Sequence, residues 1–128
     1  RVGRSTLRIQ IMHRVDSWRA PRYHMVGGIW IVQTTLPGDW LEPHVGEWSS
    51  SLVQAGLAAC VQRNRVTSVF LWDGAMESSE EWRVQIKTSG TKKDELVEAI
   101  LNEHPYETPQ IASWEAETTT DYAGWVEG

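Results

Sequence analysis

The sequence is poor in cysteine: its 128 residues include only Cys60. A single thiol excludes an intrachain disulfide and the zinc sites that are built from several cysteines. Because it lies in the small apolar context LAACV, we expect Cys60 to be buried as a small hydrophobic side chain. A chain without disulfides suits a reducing compartment, so we expect a cytoplasmic protein.

Long apolar runs and nucleotide-binding loops are also missing. No stretch reaches the roughly 18 apolar residues that a membrane-spanning helix needs. No glycine-rich phosphate loop of the Walker or Rossmann form is present, and no candidate nucleophile lies in a recognisable elbow motif. We therefore predict a protein without a membrane span and without enzymatic activity.

Phenylalanine is nearly absent, with one residue against eight tryptophans. Four of the tryptophans fall in segments that read as strands: Trp30, Trp72, Trp82 and Trp114. Packing in the core and at subunit interfaces is the simplest explanation for large aromatic rings at such positions.

Charge is divided unevenly along the chain. Residues 1–25 carry six arginines and one aspartate, a net charge of +5, whereas residues 26–128 carry −10. An acidic body repels a phosphate backbone, so we exclude nucleic acid as a partner. We interpret residues 1–25 as a basic N-terminal extension and residues 26–128 as one domain of ordinary size.

The basic extension allows three interpretations. Its arginines and its lack of acidic residues are typical of an organellar presequence, which would place the protein in an organelle. It could also be upstream sequence or the remnant of a tag, with Met25 near the true start. The segment LRIQIM within it could instead add a strand.

Hydrophobic patterns at the start of the body predict a strand and then a helix. The segment GIWIVQTT, residues 28–35, is rich in β-branched and aromatic residues and is typical of a central strand. Val45, Trp48 and Leu52 recur at helical spacing, and Gly56 is a natural helix end.

A long hairpin is predicted next. Its first strand runs through VTSVFLW, with a possible kink at RNR, to a turn at Asp73-Gly74. The segment EWRVQIKT, residues 81–88, alternates apolar and polar side chains and is therefore predicted to be the returning strand.

A second helix and a last strand complete the pattern. Thr91 and Asp94 have the spacing of a capping box, and Pro105 ends the helix. Pro109 is compatible with the start of an edge strand over QIASWEAE. The tail TTDYAGWVEG is expected to be helical or irregular.

The order strand, helix, strand, strand, helix, strand predicts an α+β, ferredoxin-like βαββαβ sandwich with an extended hairpin of its second and third strands. Both helices would cover one face of the sheet. In a strand over VTSVFLW, apolar side chains would point to both faces of the sheet, so the face without helices also needs to be covered. With no helix left, we expect another subunit to cover it.

Five motifs occur in register over residues 28–127: GLAACV, VTSVFLWDG, IKT, HPYETPQI and DYAGW. Through them the sequence resembles the CutA divalent-cation tolerance proteins, whose fold is similar to that of the PII signalling proteins. The resemblance implies a homotrimer whose hairpins pair across subunits. It implies no catalytic activity, and it connects the chain with metal tolerance and, in some members, with copper binding.

The segment HPYETP has a structural and a metal-binding interpretation. Structurally, it ends a helix and starts an edge strand. Alternatively, His104 with Glu103 or Glu107 could bind a divalent cation, since imidazole and carboxylate suit Cu(II) and zinc. Some family members have a cysteine where this chain has Gln33 and a histidine where it has Glu103. Without the thiolate, weak Cu(II) or zinc binding is expected rather than tight Cu(I) binding.

The resemblance also implies a cleft between subunits. Lys87, Glu81, Trp72 and Tyr106 are the candidate residues, and lysine with aromatic rings could hold a small anion or a nucleotide. The alternative is that Lys87 is only a solvated strand end. We thus expect a trimeric protein that takes part in the response to divalent metal ions. The alternative is a PII-like module that binds small molecules or proteins and in which metal binding is incidental.

Overall fold

The computed structural model describes residues 23–128. The predictions for the basic extension, namely a presequence, a tag remnant or an added strand through LRIQIM, fall outside these residues. Met25 is already the first residue of a strand.

Helices and strands follow the predicted order, and one further helix closes the chain. They are β1 (Met25–Pro37), α1 (Glu42–Gln54), β2 (Cys60–Trp72), β3 (Ala75–Ser89), α2 (Lys93–Glu103), β4 (Ile111–Thr119) and α3 (Thr120–Glu127). The strands form one antiparallel sheet in the order β2-β3-β1-β4. The predicted α+β, ferredoxin-like fold is confirmed, with β4 as an edge strand.

β1 is a central strand, as its apolar run predicted, and it pairs with β3 on one side and β4 on the other. Its register against β4 shifts between Val26 and Ile29. Gly28 in this bulge has a φ of +100°, a backbone conformation that residues other than glycine rarely adopt. The Gly28 N–H donates to Oε2 of Glu115 over 2.8 Å and so fixes the bulge to β4.

β2 and β3 form a long hairpin, named the ribbon below. Its strands pair without interruption from Cys60↔Lys87 to Trp72↔Ala75, so the predicted kink at RNR is wrong. The ladder stays regular because the arginine side chains are accommodated outside it. Arg63 forms an ion pair with Glu42 of α1, and Arg65 donates to the Gly38 carbonyl over 3.1 Å.

The ribbon turns in two residues, because Asp73 and Gly74 both have positive φ, +52° and +78°. Positive φ at both positions is the type I′ turn that Asp-Gly favours in hairpins. β3 begins at Ala75 rather than at the predicted Glu81. The tight turn carries the chain directly into the ladder, although AMESSE has no alternating apolar pattern.

The end of the ribbon is apolar and open to solvent. Four large side chains there are between 66% and 72% exposed: Val69, Leu71, Trp72 and Met76. Neighbouring residues of a strand point to opposite faces, so Leu71 and Trp72 make both faces apolar. Within residues 23–128 the chain leaves this surface uncovered.

The main core lies between the sheet and helices α1 and α2. Its central buried side chains are Val32, Leu36, Val84 and Ile86 from the sheet and Val45, Leu52, Leu96 and Ile100 from the helices. Burial of this apolar surface is what holds two helices of modest length to the sheet.

α2 begins at Lys93 with Lys92 as its N-cap, and no side chain caps it, so the predicted capping box is wrong. Thr91 Oγ1 lies instead 3.0 Å from Oγ of Ser89. The Lys92 N–H donates to the Ser89 carbonyl over 3.1 Å. The tight turn after β3 therefore holds Thr91 before the helix starts.

The face of the sheet opposite to the main core carries a row of amides. Gln85 donates to Oε1 of Gln33 over 2.8 Å, and Gln33 donates to Oε1 of Gln110 over 3.3 Å. Four residues earlier on the same face of β1, Ile29 packs against α3. The sequence led us to expect no helix for this face, whereas α3 covers one end of it and leaves Gln110 exposed.

Candidate functional site

The candidate site lies where β1 ends and the chain leaves α2. His104 follows the last residue of α2 and has extended backbone angles, φ −72° and ψ 136°. The next residue is Pro105, which disfavours helical geometry at His104 and cannot continue the helix. The imidazole thereby turns back onto the end of β1.

Both ring nitrogens of His104 are hydrogen-bonded. Nε2 lies 2.7 Å from the Thr35 carbonyl oxygen and 3.2 Å from Oγ1 of Thr34. Nδ1 accepts the Tyr106 N–H over 3.1 Å. Since Nδ1 accepts, the neutral ring carries its proton on Nε2 and donates it to Thr35.

Burial lowers the pKa of His104 below its ordinary value of 6.5, although the Thr35 carbonyl and the charge of Glu81 both oppose this shift. The neutral ring also matches its surroundings, because a proton on Nδ1 would face the Tyr106 N–H. His104 therefore remains neutral, with a lone pair on Nδ1, at neutral pH.

Glu81 is the second residue, after His104, that collects hydrogen bonds in the site. Its carboxylate accepts the Tyr106 hydroxyl over 3.1 Å and the Ser68 hydroxyl over 2.7 Å. Burial, the bond to Glu81 and the charges of Glu81 and Asp39 raise the pKa of Tyr106 to about 12. Tyr106 is thus a permanent hydrogen-bond donor that ties the segment after α2 to the ribbon.

We expect acid to destabilise the protein through His104. The pKa of His104 is lower in the folded chain than in the unfolded chain. Between the two pKa values, the unfolded chain therefore binds a proton at His104 that the folded chain does not bind. Stability is lost as the pH falls from about 6.5 to the lowered folded value and does not change further below it through this group. Denaturant unfolding at neutral pH and near pH 5, at one protein concentration, measures the loss.

The matched variant for this experiment is His104→Asn. Its amide oxygen replaces Nδ1 as acceptor for the Tyr106 N–H, and it does not titrate. The loss of unfolding free energy between the two pH values should be smaller in the variant than in the parent. Equal losses would show that His104 does not contribute to the acid sensitivity.

The three residues predicted to bind metal lie in one segment of the chain but differ in their exposure. His104 is half-buried, whereas Glu103 and Glu107 on either side of it are exposed. Within residues 23–128, no three side chains of the His, Cys, Asp or Glu type form a group that could hold a metal ion. The assignment of His104, Glu103 and Glu107 as ligands stays a prediction.

Of the predicted cleft residues, one chain brings Glu81 and Tyr106 together. Lys87 lies six residues further along β3, about 20 Å away, where Nζ donates to Oε1 of Gln62 over 2.5 Å. Trp72 is at the other end of the ribbon, opposite Ala75. A cleft containing all four residues requires more than one subunit and stays a prediction.

Sequence reasoning missed Ser68 as a partner of Glu81. The two-residue turn could have revealed this contact, because the turn fixes which residues of the ribbon are opposite each other. It places Ser68 opposite Ser79 and Glu81 opposite Val66. Ser68 and Glu81 are therefore diagonal neighbours on one face, within reach of each other.

The loop between β1 and α1 forms a cavity of about 410 Å³ that was also missed. The imidazole of His44 stacks on the indole of Trp40, with 3.7 Å between the ring centres. The Trp40 carbonyl accepts Nε1–H of Trp82 over 3.0 Å. The loop is thereby attached to the ribbon next to Glu81.

Fold and site together define the class: ferredoxin-like α+β proteins with a protruding apolar ribbon, in which the segment after the second helix is tied to the end of β1 and to the ribbon. Residues 31–128 match the sequence profile described as "CutA1 divalent ion tolerance protein". The chain therefore belongs to the CutA1 family, as the five motifs predicted.

Named relatives agree with this assignment. The divalent-cation tolerance protein CutA of Thermotoga maritima is 31% identical over 97 residues, covering 75% of this chain and 93% of that protein. The CutA homologue of Xenopus laevis is 30% identical over 105 residues, covering 80% of this chain and 68% of that protein.

Solved structures agree as well. CutA1 of Pyrococcus horikoshii superposes with a TM-score of 0.69 at 30% identity, over 76% of this chain and 93% of that one. The PII-like protein CutA of Nostoc gives 0.69 at 28% identity, over 77% and 94%. CutA of Synechococcus elongatus gives 0.73 at 24% identity, over 80% and 92%, and supports the fold alone.

Two predictions concern the location of the protein. Among residues 23–128, none of the helices is long and apolar enough to pass through a membrane. The fold relative from Archaeoglobus fulgidus is described as a periplasmic divalent cation tolerance protein. The cytoplasmic location that we expect for this chain, and the organellar alternative, stay predictions.

Proposed function

We propose that this protein acts as a homotrimer in the tolerance of divalent metal ions, binds Cu(II) weakly and catalyses no reaction. Its family relation covers residues 31–128, and the relatives from Thermotoga maritima and Escherichia coli are called divalent-cation tolerance proteins. The observation that carries the metal-binding part is His104, a neutral imidazole between two exposed carboxylates.

The trimer is supported by the ribbon. Its apolar end is exposed on both faces, and such a surface on an edge strand is a hazard that proteins cover. Within residues 23–128 the sheet has two free edges, β2 and β4. Copies that pair through these edges and cover each other's ribbons would remove both the edges and the apolar surface.

The geometry of His104 explains why metal binding would be weak. A cation at Nδ1 must replace the Tyr106 N–H, and a cation at Nε2 must replace the bond to Thr35. Either exchange costs a hydrogen bond, about 0.5–1.5 kcal/mol. Glu103 and Glu107 can then supply carboxylate oxygens, which suit Cu(II) and zinc with imidazole.

Calorimetric titration of the full chain with Cu(II) tests the site. We expect weak saturable binding that falls at least tenfold in His104→Gln, because the metal loses its nitrogen ligand. His44→Gln is the matched control, since His44 is exposed and stacks only on Trp40. Equal affinities of the parent and His104→Gln would remove His104 as a ligand.

A second candidate function is a PII-like module that binds a small anion between subunits. The Glu81–Tyr106 pair supports it, because it holds one wall of such a cleft in place. Lys87 and Trp72 would come from neighbouring copies. Titration with ATP distinguishes the two proposals: saturable binding that Lys87→Ala removes, and that His104→Gln leaves intact, favours the module.

A further inference from the structure

A second cavity, of about 280 Å³, lies at the end of the sheet away from His104. It is formed where α1 and α3 end and where β2 and α2 begin. Thr88 of its lining pairs with Trp30 near the start of β1, whereas His104 contacts Thr35. Five residues of strand, about 17 Å, therefore separate this cavity from the candidate site.

One part of the cavity wall is apolar. Val53, Ala58, Trp125 and Val126 line it. Trp125 is 58% exposed and Val53 is 43% exposed, so both retain apolar surface that a ligand could cover. The volume is just below the range of about 300–1,000 Å³ of pockets for drug-sized ligands, which fits a smaller molecule.

Two ionisable side chains of opposite sign line the polar part of the wall, Lys92 and Glu127. Ion pairs within residues 23–128 involve Arg63, Arg65 and Lys93 as the cations. Among the described residues, Lys92 and Glu127 are thus without an ion-pair partner, and both are exposed.

The helix ends around the cavity reinforce this separation of charge. Lys92 is the N-cap of α2, and the helix N-terminus adds partial positive charge beside its ammonium group. Glu127 is the last residue of α3, which ends at the cavity as α1 does. The C-terminal ends of both helices carry partial negative charge, so the cavity has a positive and a negative side.

We propose that this cavity binds a free α-amino acid with an apolar side chain, of the size of leucine. The carboxylate lies on Lys92 and the start of α2. The ammonium group lies on Glu127 and the ends of α1 and α3. The side chain covers Val53, Ala58 and Trp125. A zwitterion with an apolar side chain satisfies both charges of the wall and its apolar part at once.

Calorimetric titration of the full chain with leucine tests the proposal. We expect saturable binding at millimolar leucine. Three analogues each remove one feature: 4-methylpentanoate lacks the ammonium group, 3-methylbutylamine lacks the carboxylate, and glycine lacks the side chain. Each should bind at least tenfold more weakly, because a charge-assisted hydrogen bond or the apolar contact is lost.

Variants locate the binding. Lys92→Ala should weaken leucine binding about tenfold and leave the binding of 3-methylbutylamine unchanged, because that amine has no carboxylate. Lys93→Ala is the matched control, since Lys93 lies outside the cavity and contacts Asp94 and Trp30. Both lysines lie on the surface, and a thermal melt checks that the variants fold.

Three results would overturn the proposal. They are the absence of saturable binding with leucine, equal binding of leucine and an analogue that lacks one charge, and equal affinities of the parent and Lys92→Ala. The cavity does not include His104, so these results are independent of those with Cu(II).

Discussion

If the protein forms the proposed homotrimer, charged residues at the end of the ribbon are expected to break it into monomers. In the double variant Leu71→Asp, Trp72→Asp, each subunit loses two large apolar side chains that are about 70% and 67% exposed in the single chain. Covering such a side chain contributes about 1.5–3 kcal/mol, so association should weaken at least a hundredfold per subunit. Sedimentation velocity at micromolar concentration measures the assembly.

Leu101→Asp is the control for this experiment. Leu101 is also a large exposed apolar residue, 53% exposed, but it lies on α2 rather than on the ribbon. If the ribbon builds the trimer, this variant sediments like the parent while the ribbon variant sediments as a monomer. A parent chain that is itself a folded monomer would refute the trimer.

Replacing Gly38 by alanine should be strongly destabilising. A Cβ at this position would lie 2.0 Å from the carbonyl oxygen of Glu80 and 2.6 Å from its carbonyl carbon, both main-chain atoms of the ribbon. One of the two backbones must move, which puts at risk the bonds from Arg65 to Gly38 and from Trp82 to Trp40. We expect a loss of about 3 kcal/mol in unfolding free energy.

Gly46→Ala is the opposite case and serves as the control for Gly38→Ala. Gly46 lies inside α1, and the nearest atom to an added Cβ is Nη2 of Arg63 at 3.6 Å, an ordinary contact. Alanine favours a helix interior over glycine, so this variant should gain about 0.5–1 kcal/mol. Denaturant unfolding at equal protein concentration compares both variants with the parent. Similar changes in the two would mean that the loop is not held against Glu80.

The ribbon was largely predictable because a local turn sets its long-range pairing. Asp73-Gly74 favours a two-residue loop, and that loop alone fixes Trp72 opposite Ala75 and Cys60 opposite Lys87. The start of β3 was predicted too late, since AMESSE has no pattern of its own. Its strand structure comes from the main chain of β2, which composition does not reveal.

The site was less predictable, because main-chain groups supply part of it. His104 was identified as a candidate residue, but its nearest hydrogen-bond partner is the carbonyl of Thr35, 69 residues earlier in the chain. Every residue has a main-chain carbonyl, so a sequence pattern cannot indicate which carbonyl will contact His104. The tryptophans show the same limit: Trp82 is buried, whereas Trp72 and Trp114 in equally apolar segments are exposed.

The row of glutamines on the sheet has a consequence for robustness. Primary amides neither gain nor lose protons over the pH range of living cells, and they do not react with oxidants as thiols do. The bonds between Gln85, Gln33 and Gln110 thus persist when acidity or redox state changes. A second subunit that packed on this face would meet a surface whose internal hydrogen bonds do not depend on acidity or on redox state.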